Sequence, residues 1–227
     1  MGRYFVRKTL EPVEENIESM SHFIHDAWHE LKTPLAIISG NLQILRESKH
    51  IEQGLIEESI RTIHTMSDSL DGLLELSNVK KWDAITSLNL YEAFLDECEK
   101  EKVHLEQKNI TVSLEIPKNI DISMDNKHFS LLFWNLIRNA ITYNKEHWKI
   151  TITFKNGVIS ITDTGIGIDE KHLSKIWERF FRVEKSGKNP GSGIGLSIVE
   201  KIVNLYSWKI EVDSKKDVWT TFYVTIK

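Results

Sequence analysis

Residues 23–34 read Phe23-Ile-His-Asp-Ala-Trp-His29-Glu30-Leu-Lys-Thr33-Pro34. Around this stretch apolar residues recur in steps of three and four: Ile17, Met20, Ile24, Ala27 and Leu31, then Leu35, Ile38, Leu42 and Leu45. That spacing predicts a long helix with a coiled-coil-like seam over residues 14–48. The two successive steps of four, Ala27 to Leu31 to Leu35, form a stutter that locally unwinds a supercoil. Pro34 lies inside it and lacks a backbone donor, so a bend is expected there. With Ile24 and Leu31 at heptad position a and Ala27 at d, His29 falls at f, the position farthest from the seam. A histidine there is no core residue and is free to meet another domain.

A second helical pattern covers residues 52–80 through Ile56, Ile60, Ile63, Leu70, Leu73 and Leu74, after a turn at 49–54. Two such helices form a hairpin with more apolar surface than one partner covers. Pairing two hairpins into a four-helix bundle would bury it, so a homodimer is expected. Past Trp82-Asp-Ala the pattern changes. Residues 88–90 suggest a short strand and 91–107 a helix with Phe94, Leu95, Cys98 and Val103 inward. Strands are expected at 111–116 and 121–124, flanking Pro117-Lys-Asn, and a helix at 127–143. Strands at 148–154 and 158–162 flank Asn156-Gly157, a strong hairpin signal. A helix after Gly195 and strands at 209–213 and 220–226 complete the chain. The fold class is therefore an all-α hairpin followed by an α+β two-layer sandwich, helices on one face of a mixed sheet.

The 227 residues suffice for one large or two ordinary domains, and 41% hydrophobic content supports a real core. A net charge of −4 argues against direct binding of nucleic acid. The lone Cys98 cannot form an intrachain disulfide, and no Cys/His cluster has zinc-ligand spacing. No run approaches the ~18 apolar residues that span a bilayer. Arg3, Arg7 and Lys8 flank Tyr4-Phe5-Val6. Taken alone they read as a basic tail, and beside the later motifs as a juxtamembrane segment with positive charge on the inner side.

Three motifs carry further chemistry. Asn135 and Asn139 sit one helical turn apart, and an amide oxygen is a hard ligand suited to Mg²⁺. Asp163-Thr-Gly165-Ile-Gly167 follows an expected strand, and Asp163 can accept a hydrogen bond from an exocyclic amine. Gly191-Ser-Gly193-Ile-Gly195 precedes an apolar helix whose N-terminus favours phosphate. It is not a dinucleotide fingerprint, because no strand runs into it and no βαβ unit surrounds it. On the long helix, neutral imidazole is a good nucleophile, and Glu30 is placed to accept its proton. Thr33, one turn from His29, could hold a water near a phosphohistidine.

His29-Glu-Leu-Lys-Thr-Pro-Leu35, with Phe23 six residues earlier, resembles the H box of sensor histidine kinases. Asn135…Asn139, Asp163…Gly167 and Gly191…Gly195 resemble the N, G1 and G2 boxes of the gyrase, chaperone, histidine-kinase and mismatch-repair ATPase superfamily. Ile176-Trp-Glu-Arg179-Phe180-Phe181-Arg182 resembles its F box. The resemblance covers residues 10–227. It implies autophosphorylation of His29 from ATP and Mg²⁺, with Glu30 as general base and Thr33 supporting phosphatase activity. It implies transfer to an aspartate of a response regulator receiver domain.

It further implies a nucleotide site of Asn135, Asn139, Tyr143, Asp163, Gly165, Gly167, Arg179, Arg182, Gly191, Gly193, Gly195 and Leu196. Within that site Asp163 reads the adenine amino group, Asn139 and Asn135 hold the metal, and residues 182–190, with Lys185 and Lys188, form a mobile lid. Two positions depart from the pattern. Trp28 stands where the family usually has Ser. Thr142 precedes Tyr143 where a Lys is common, a contact that Lys145 could replace. The implied organisation is a juxtamembrane segment (1–13), a dimerisation and phosphotransfer domain (14–83), a linker (84–88) and a catalytic domain (89–227). These would be the cytoplasmic portion of a bacterial inner-membrane protein, lacking its N-terminal sensor and transmembrane segment. A non-kinase ATPase of the same superfamily and an inactive dimeric scaffold are the competing readings. Asn135 weighs against the first, because those ATPases carry a Glu there to activate water.

Overall fold

The structure, a computed structural model, describes residues 2–48, 52–79, 85–145, 148–183 and 191–226, with side chains in the first helix from Ile24 onward apart from Asp26. The side chains of Ile17 and Met20, residues 49–51 of the expected turn, Trp82-Asp-Ala, and residues 184–190 of the expected lid, with Lys185 and Lys188, lie outside the described residues. The chain divides into two compact units, Met1–Leu70 and Asp71–Lys227.

The first unit holds α1 (Gly2–Glu47) and most of α2 (Gln53–Asn78). α1 stays helical through Pro34, although the proline withholds the amide that would bond the Glu30 carbonyl. One polar residue fixes how the hairpin closes. Asn41 is buried, and its amide donates to Ser59 Oγ at 3.3 Å and Glu58 Oε2 at 3.1 Å. Ser59 in turn donates to the Leu55 carbonyl at 2.8 Å. Much of the seam remains uncovered: Ile24, Leu42, Ile60 and Ile63 are each at least half exposed. An apolar strip of that length marks an interaction surface.

In the second unit a five-stranded sheet runs in the order β2 (Thr111–Glu115), β4 (Lys149–Lys155), β5 (Val158–Asp163), β7 (Trp219–Thr225), β6 (Lys209–Lys215). β2 and β4 are parallel and the other pairs antiparallel. Alternate residues of β4 and β5, including Ile150, Ile152, Ile159 and Ile161, are fully buried. α5 (Asn126–Thr142) packs on β5, and α6 (Gly195–Leu205) packs on α5 and β6, each with buried apolar residues. Phe94 of α3 (Leu90–Lys100) packs edge-on against Phe129 and Phe133 of α5, with centroids 5.2 and 4.7 Å apart. This is the expected two-layer sandwich. Asn156 and Gly157 join β4 to β5 with φ of 53° and 77°, both left-handed as a two-residue hairpin of this type requires. The last turns of α2 belong to this unit: Leu73, Leu76 and Val79 are buried, and the Lys201 ammonium donates to the Leu76 carbonyl.

One strand pairing lies beyond the sequence reading, and one helix differs from it. β3 (Asp121–Asp125) is separated from β2 by the Pro117 turn. It pairs with β1 (Ile85–Asn89) as a separate two-stranded sheet. Asn89 explains the choice, since its side-chain amide donates to the Lys118 carbonyl at 2.8 Å and Asp121 Oδ1 at 3.2 Å while its oxygen caps α3. The helix expected over 91–107 is two, α3 and α4 (Lys102–Gln107). They break at Glu101, whose buried carboxylate accepts from the Trp134 indole at 2.6 Å and meets His104 Nδ1 at 2.9 Å. The backbone there leaves helical geometry, with φ −96° and ψ 6°.

Candidate functional site

The second unit builds a pocket where α5, β5 and the start of α6 converge. α5 is fixed at its N-terminus by Asp125, whose carboxylate accepts from the Lys127 and His128 amides. Its C-terminal turn carries Asn139 and ends at Tyr143. β5 ends at Asp163, whose Oδ1 accepts from the Gly165 amide at 2.9 Å, a turn stabilised by its own side chain. The next amide, Ile166 N–H, donates to the Tyr143 carbonyl at 3.1 Å. The chain passes so close that a Cβ on Gly165 would lie 2.2 Å from the Tyr143 carbonyl oxygen. Gly165→Ala must therefore push backbone against backbone. It is expected to lower unfolding stability by at least about 2 kcal/mol in denaturant titration, and an unchanged midpoint would show that the turn yields freely.

The resulting open cavity holds about 180 Å³. Asn139, Tyr143, Asp163, Gly167, Arg182 and Leu196 line it, among the residues singled out from sequence. Ile166, Ile168, Ile176, Phe181 and Val183 add apolar wall, as do Thr220 and Phe222 from β7. Thr220 could have been anticipated only from strand register, which sets it opposite Asp163.

Asp163 is 5% exposed. Burial pushes its carboxyl up to about 6, against the pull of backbone hydrogen bonds from Gly165 and Thr220. At neutral pH it remains an ionised acceptor among apolar surfaces. A slot with largely apolar walls and a buried carboxylate suits a flat ring with an amine on its edge.

Other predicted residues stand behind the lining. Asn135 is buried with its amide nitrogen donating to the Leu131 carbonyl at 2.6 Å. Its oxygen would lie 2.5 Å from a Cβ on Gly195, so it supports the first turn of α6. The Gly193 carbonyl accepts from Phe180 N–H at 2.8 Å, and Phe180 has φ of 62°, an unusual value for an aromatic residue. The glycine loop and the Phe180 segment are thereby tied together. Gly191 has open space around it, and Arg179 is half-buried outside the lining. Lys145 does not reach the cavity lining. Its ammonium donates to the Asp217 carbonyl at 3.2 Å and lies 4.7 Å from the Trp148 ring centroid.

The donors present fit Mg²⁺ of the kind that arrives with phosphates. Asn139, whose side chain carries an amide oxygen, lines the cavity, and among the described residues no group of three His, Cys, Asp or Glu side chains could cage a metal. Mg²⁺ bound through one or two protein oxygens retains waters and substrate phosphates.

On the first unit His29, Glu30 and Thr33 are all exposed on α1. His29 Nε2 lies 3.2 Å from His25 Nε2. Trp28 is 64% exposed beside it.

Two regions of the chain match known families. Residues 8–81 match the His Kinase A (phospho-acceptor) domain. Residues 124–227 match the histidine kinase-, DNA gyrase B- and HSP90-like ATPase family. The signal transduction histidine-protein kinase ArlS of Staphylococcus aureus strain USA300 is 32% identical over 95% of this chain. The chain spans half the length of that relative. Among solved structures, histidine kinase ThkA in complex with response regulator protein TrrA superposes with a TM-score of 0.76 at 21% identity, covering 98% of this chain and 66% of that one. Acinetobacter baumannii histidine kinase AdeS gives 0.68 at 19% identity, covering 88% and 97%. Among the described residues no helix is long and apolar enough to cross a membrane. The chain belongs to the histidine kinase family, joining a phospho-acceptor helical region to an ATPase domain of the gyrase B and HSP90 type.

Proposed function

We propose that this chain is an ATP-dependent protein-histidine kinase that phosphorylates its own His29 and passes the group to an aspartate of a response regulator. The observation that carries the reading is the pairing, in one chain, of an exposed imidazole next to a carboxylate with an apolar slot that ends in buried Asp163. The adenine of ATP lies between the cavity walls with its amino group donating to Asp163. Tyr143, Ile166 and Ile168 exclude water from its faces. Gly195 and Leu196 open α6 toward the phosphates, whose charge the helix N-terminus favours. Arg182 adds positive charge at the rim. Asn139 is the side chain that would hold Mg²⁺, which when bound screens the charge of the phosphates.

In the transfer step a lone pair on the His29 ring forms a bond to the γ-phosphorus. The bond from that phosphorus to the β–γ bridging oxygen breaks, and ADP leaves with the electron pair. Glu30 takes the proton from the other ring nitrogen, so the imidazole need not carry a full positive charge in the transition state. The phosphohistidine then transfers to a receiver carboxylate. The reading is supported by the phospho-acceptor family match and by ThkA, which was solved with a response regulator. The half-exposed seam of α1 and α2 supports a homodimer. Arg3, Arg7 and Lys8 support a cytoplasmic position just inside a bacterial inner membrane, in a longer protein with sensor and spanning segments.

Incubation with γ-labelled ATP tests the reading. Acid-labile label on the protein that chases onto a receiver domain is expected; release of free phosphate alone would identify an ATPase. Thr33→Ala is expected to keep self-labelling within about twofold while slowing dephosphorylation of the receiver at least about tenfold. Equal dephosphorylation by variant and parent would remove Thr33 from that step.

A further inference from the structure

His25 belongs to none of the steps above, yet its ring reaches His29. The two residues are one helical turn apart, so their side chains share a strip of α1. Both are exposed, with ring centroids 4.4 Å apart and planes inclined by 57°. Their Nε2 atoms are 3.2 Å apart. Two nitrogens that distance apart, each ~2.05 Å from one ion, subtend an angle of about 100°. That lies between the right angle of octahedral sites and the tetrahedral angle. Chelation would require each exposed ring to turn about χ2 until both lone pairs meet one ion.

We propose that His25 and His29 form a two-imidazole chelate for a borderline divalent transition-metal ion, represented by Zn²⁺, and that the bound ion withholds the His29 ring from phosphoryl transfer. The second half rests on His29 being the phosphate acceptor. The ligand chemistry selects the ion: imidazole suits Zn²⁺, Cu²⁺ and Ni²⁺, while hard Mg²⁺ prefers oxygen. The Mg²⁺ that accompanies ATP therefore leaves this site to the other class. Among the described residues no third carboxylate, thiol or imidazole completes the set. Water fills the remaining positions, and the ion stays exchangeable. A nitrogen whose lone pair is donated to a metal cannot attack phosphorus, so inhibition is competitive with transfer and leaves nucleotide binding untouched.

The test uses the full chain. Zn²⁺ affinity is read without ATP, by competition with a chromophoric chelator, for the parent, His25→Ala, His29→Gln and His22→Ala. Self-labelling in Mg-ATP is then followed as Zn²⁺ is raised. Loss of either ligand of the pair is expected to weaken Zn²⁺ binding at least about tenfold, and His22→Ala to leave it within about twofold. His25→Ala should label like the parent without Zn²⁺ and need at least about ten times more Zn²⁺ for half-inhibition. Parent-like Zn²⁺ affinity or Zn²⁺ sensitivity in His25→Ala overturns the proposal. So does loss of binding through His22 in place of His29. Label persisting in His29→Gln would instead count against the acceptor assignment, while the ATP-free titration would still report on the chelate.

Discussion

His29→Gln is expected to abolish acid-labile labelling from γ-labelled ATP, a loss of at least about a thousandfold, since no attacking lone pair remains at that position. Glutamine keeps a polar, exposed side chain with good helix propensity on α1, so hairpin and dimer should survive. Nucleotide affinity should be unchanged, because every residue lining the cavity lies in the second unit. The informative comparison is with His25→Ala. Its ring lies within hydrogen-bonding distance of His29, so a label that survives His29→Gln and vanishes in His25→Ala would move the acceptor one turn toward the N-terminus. Label lost only at His29 assigns it there.

Asp163→Asn carries the second large effect. A buried ionised acceptor that faces a donor contributes about 1.5–3 kcal/mol, so nucleotide affinity should fall on the order of a hundredfold. The folded protein should tolerate the change. The Asp163 carboxyl titrates near 6 in the fold and near 3.9 when unfolded. Between those values the folded state holds the extra proton, so stability falls as pH rises from about 4 to 6. Above 6 the full penalty of a buried charge is present, on the order of 3 kcal/mol. An amide removes that penalty while giving up one acceptor oxygen, so the thermal midpoint of the nucleotide-free variant at pH 7 should not drop. Lower affinity together with a large fall in the midpoint would mean that Asp163 is structural. By the same ionisation, the parent's nucleotide affinity should weaken as pH falls through about 6. A flat profile between pH 5 and 7.5 would remove the carboxylate from the contact.

The elements legible in the sequence were those with local causes. Steps of three and four wrote α1 and α2. Asn156-Gly157 wrote the β4–β5 hairpin, because its left-handed geometry excludes most other pairs. The heptad position of His29 anticipated its exposure. What stayed hidden depends on distant partners. Nothing near Pro117 says that β3 pairs with β1; that follows from the Asn89 amide reaching Lys118 and Asp121. Nothing in residues 91–107 marks the break at Glu101, because its indole partner is 33 residues away. The floor of the cavity was read from motifs, but Thr220 and Phe222 enter through strand register. Asn135 and Lys145 have the right chemistry by type, and neighbours hold them elsewhere: one under Gly195, the other on Asp217.

Asn41 sets a rule for how the hairpin can move. Sliding α1 along α2 by even one residue, ~1.5 Å, would carry its amide away from Ser59 and Glu58. That would leave a buried amide without its partners, at a cost of about 1–3 kcal/mol. A piston stroke of one helix past the other is therefore opposed from the first ångström. On the proposed function, a signal arriving along α1 would travel as rotation or splaying of the joined pair, and the His29 ring would turn with it.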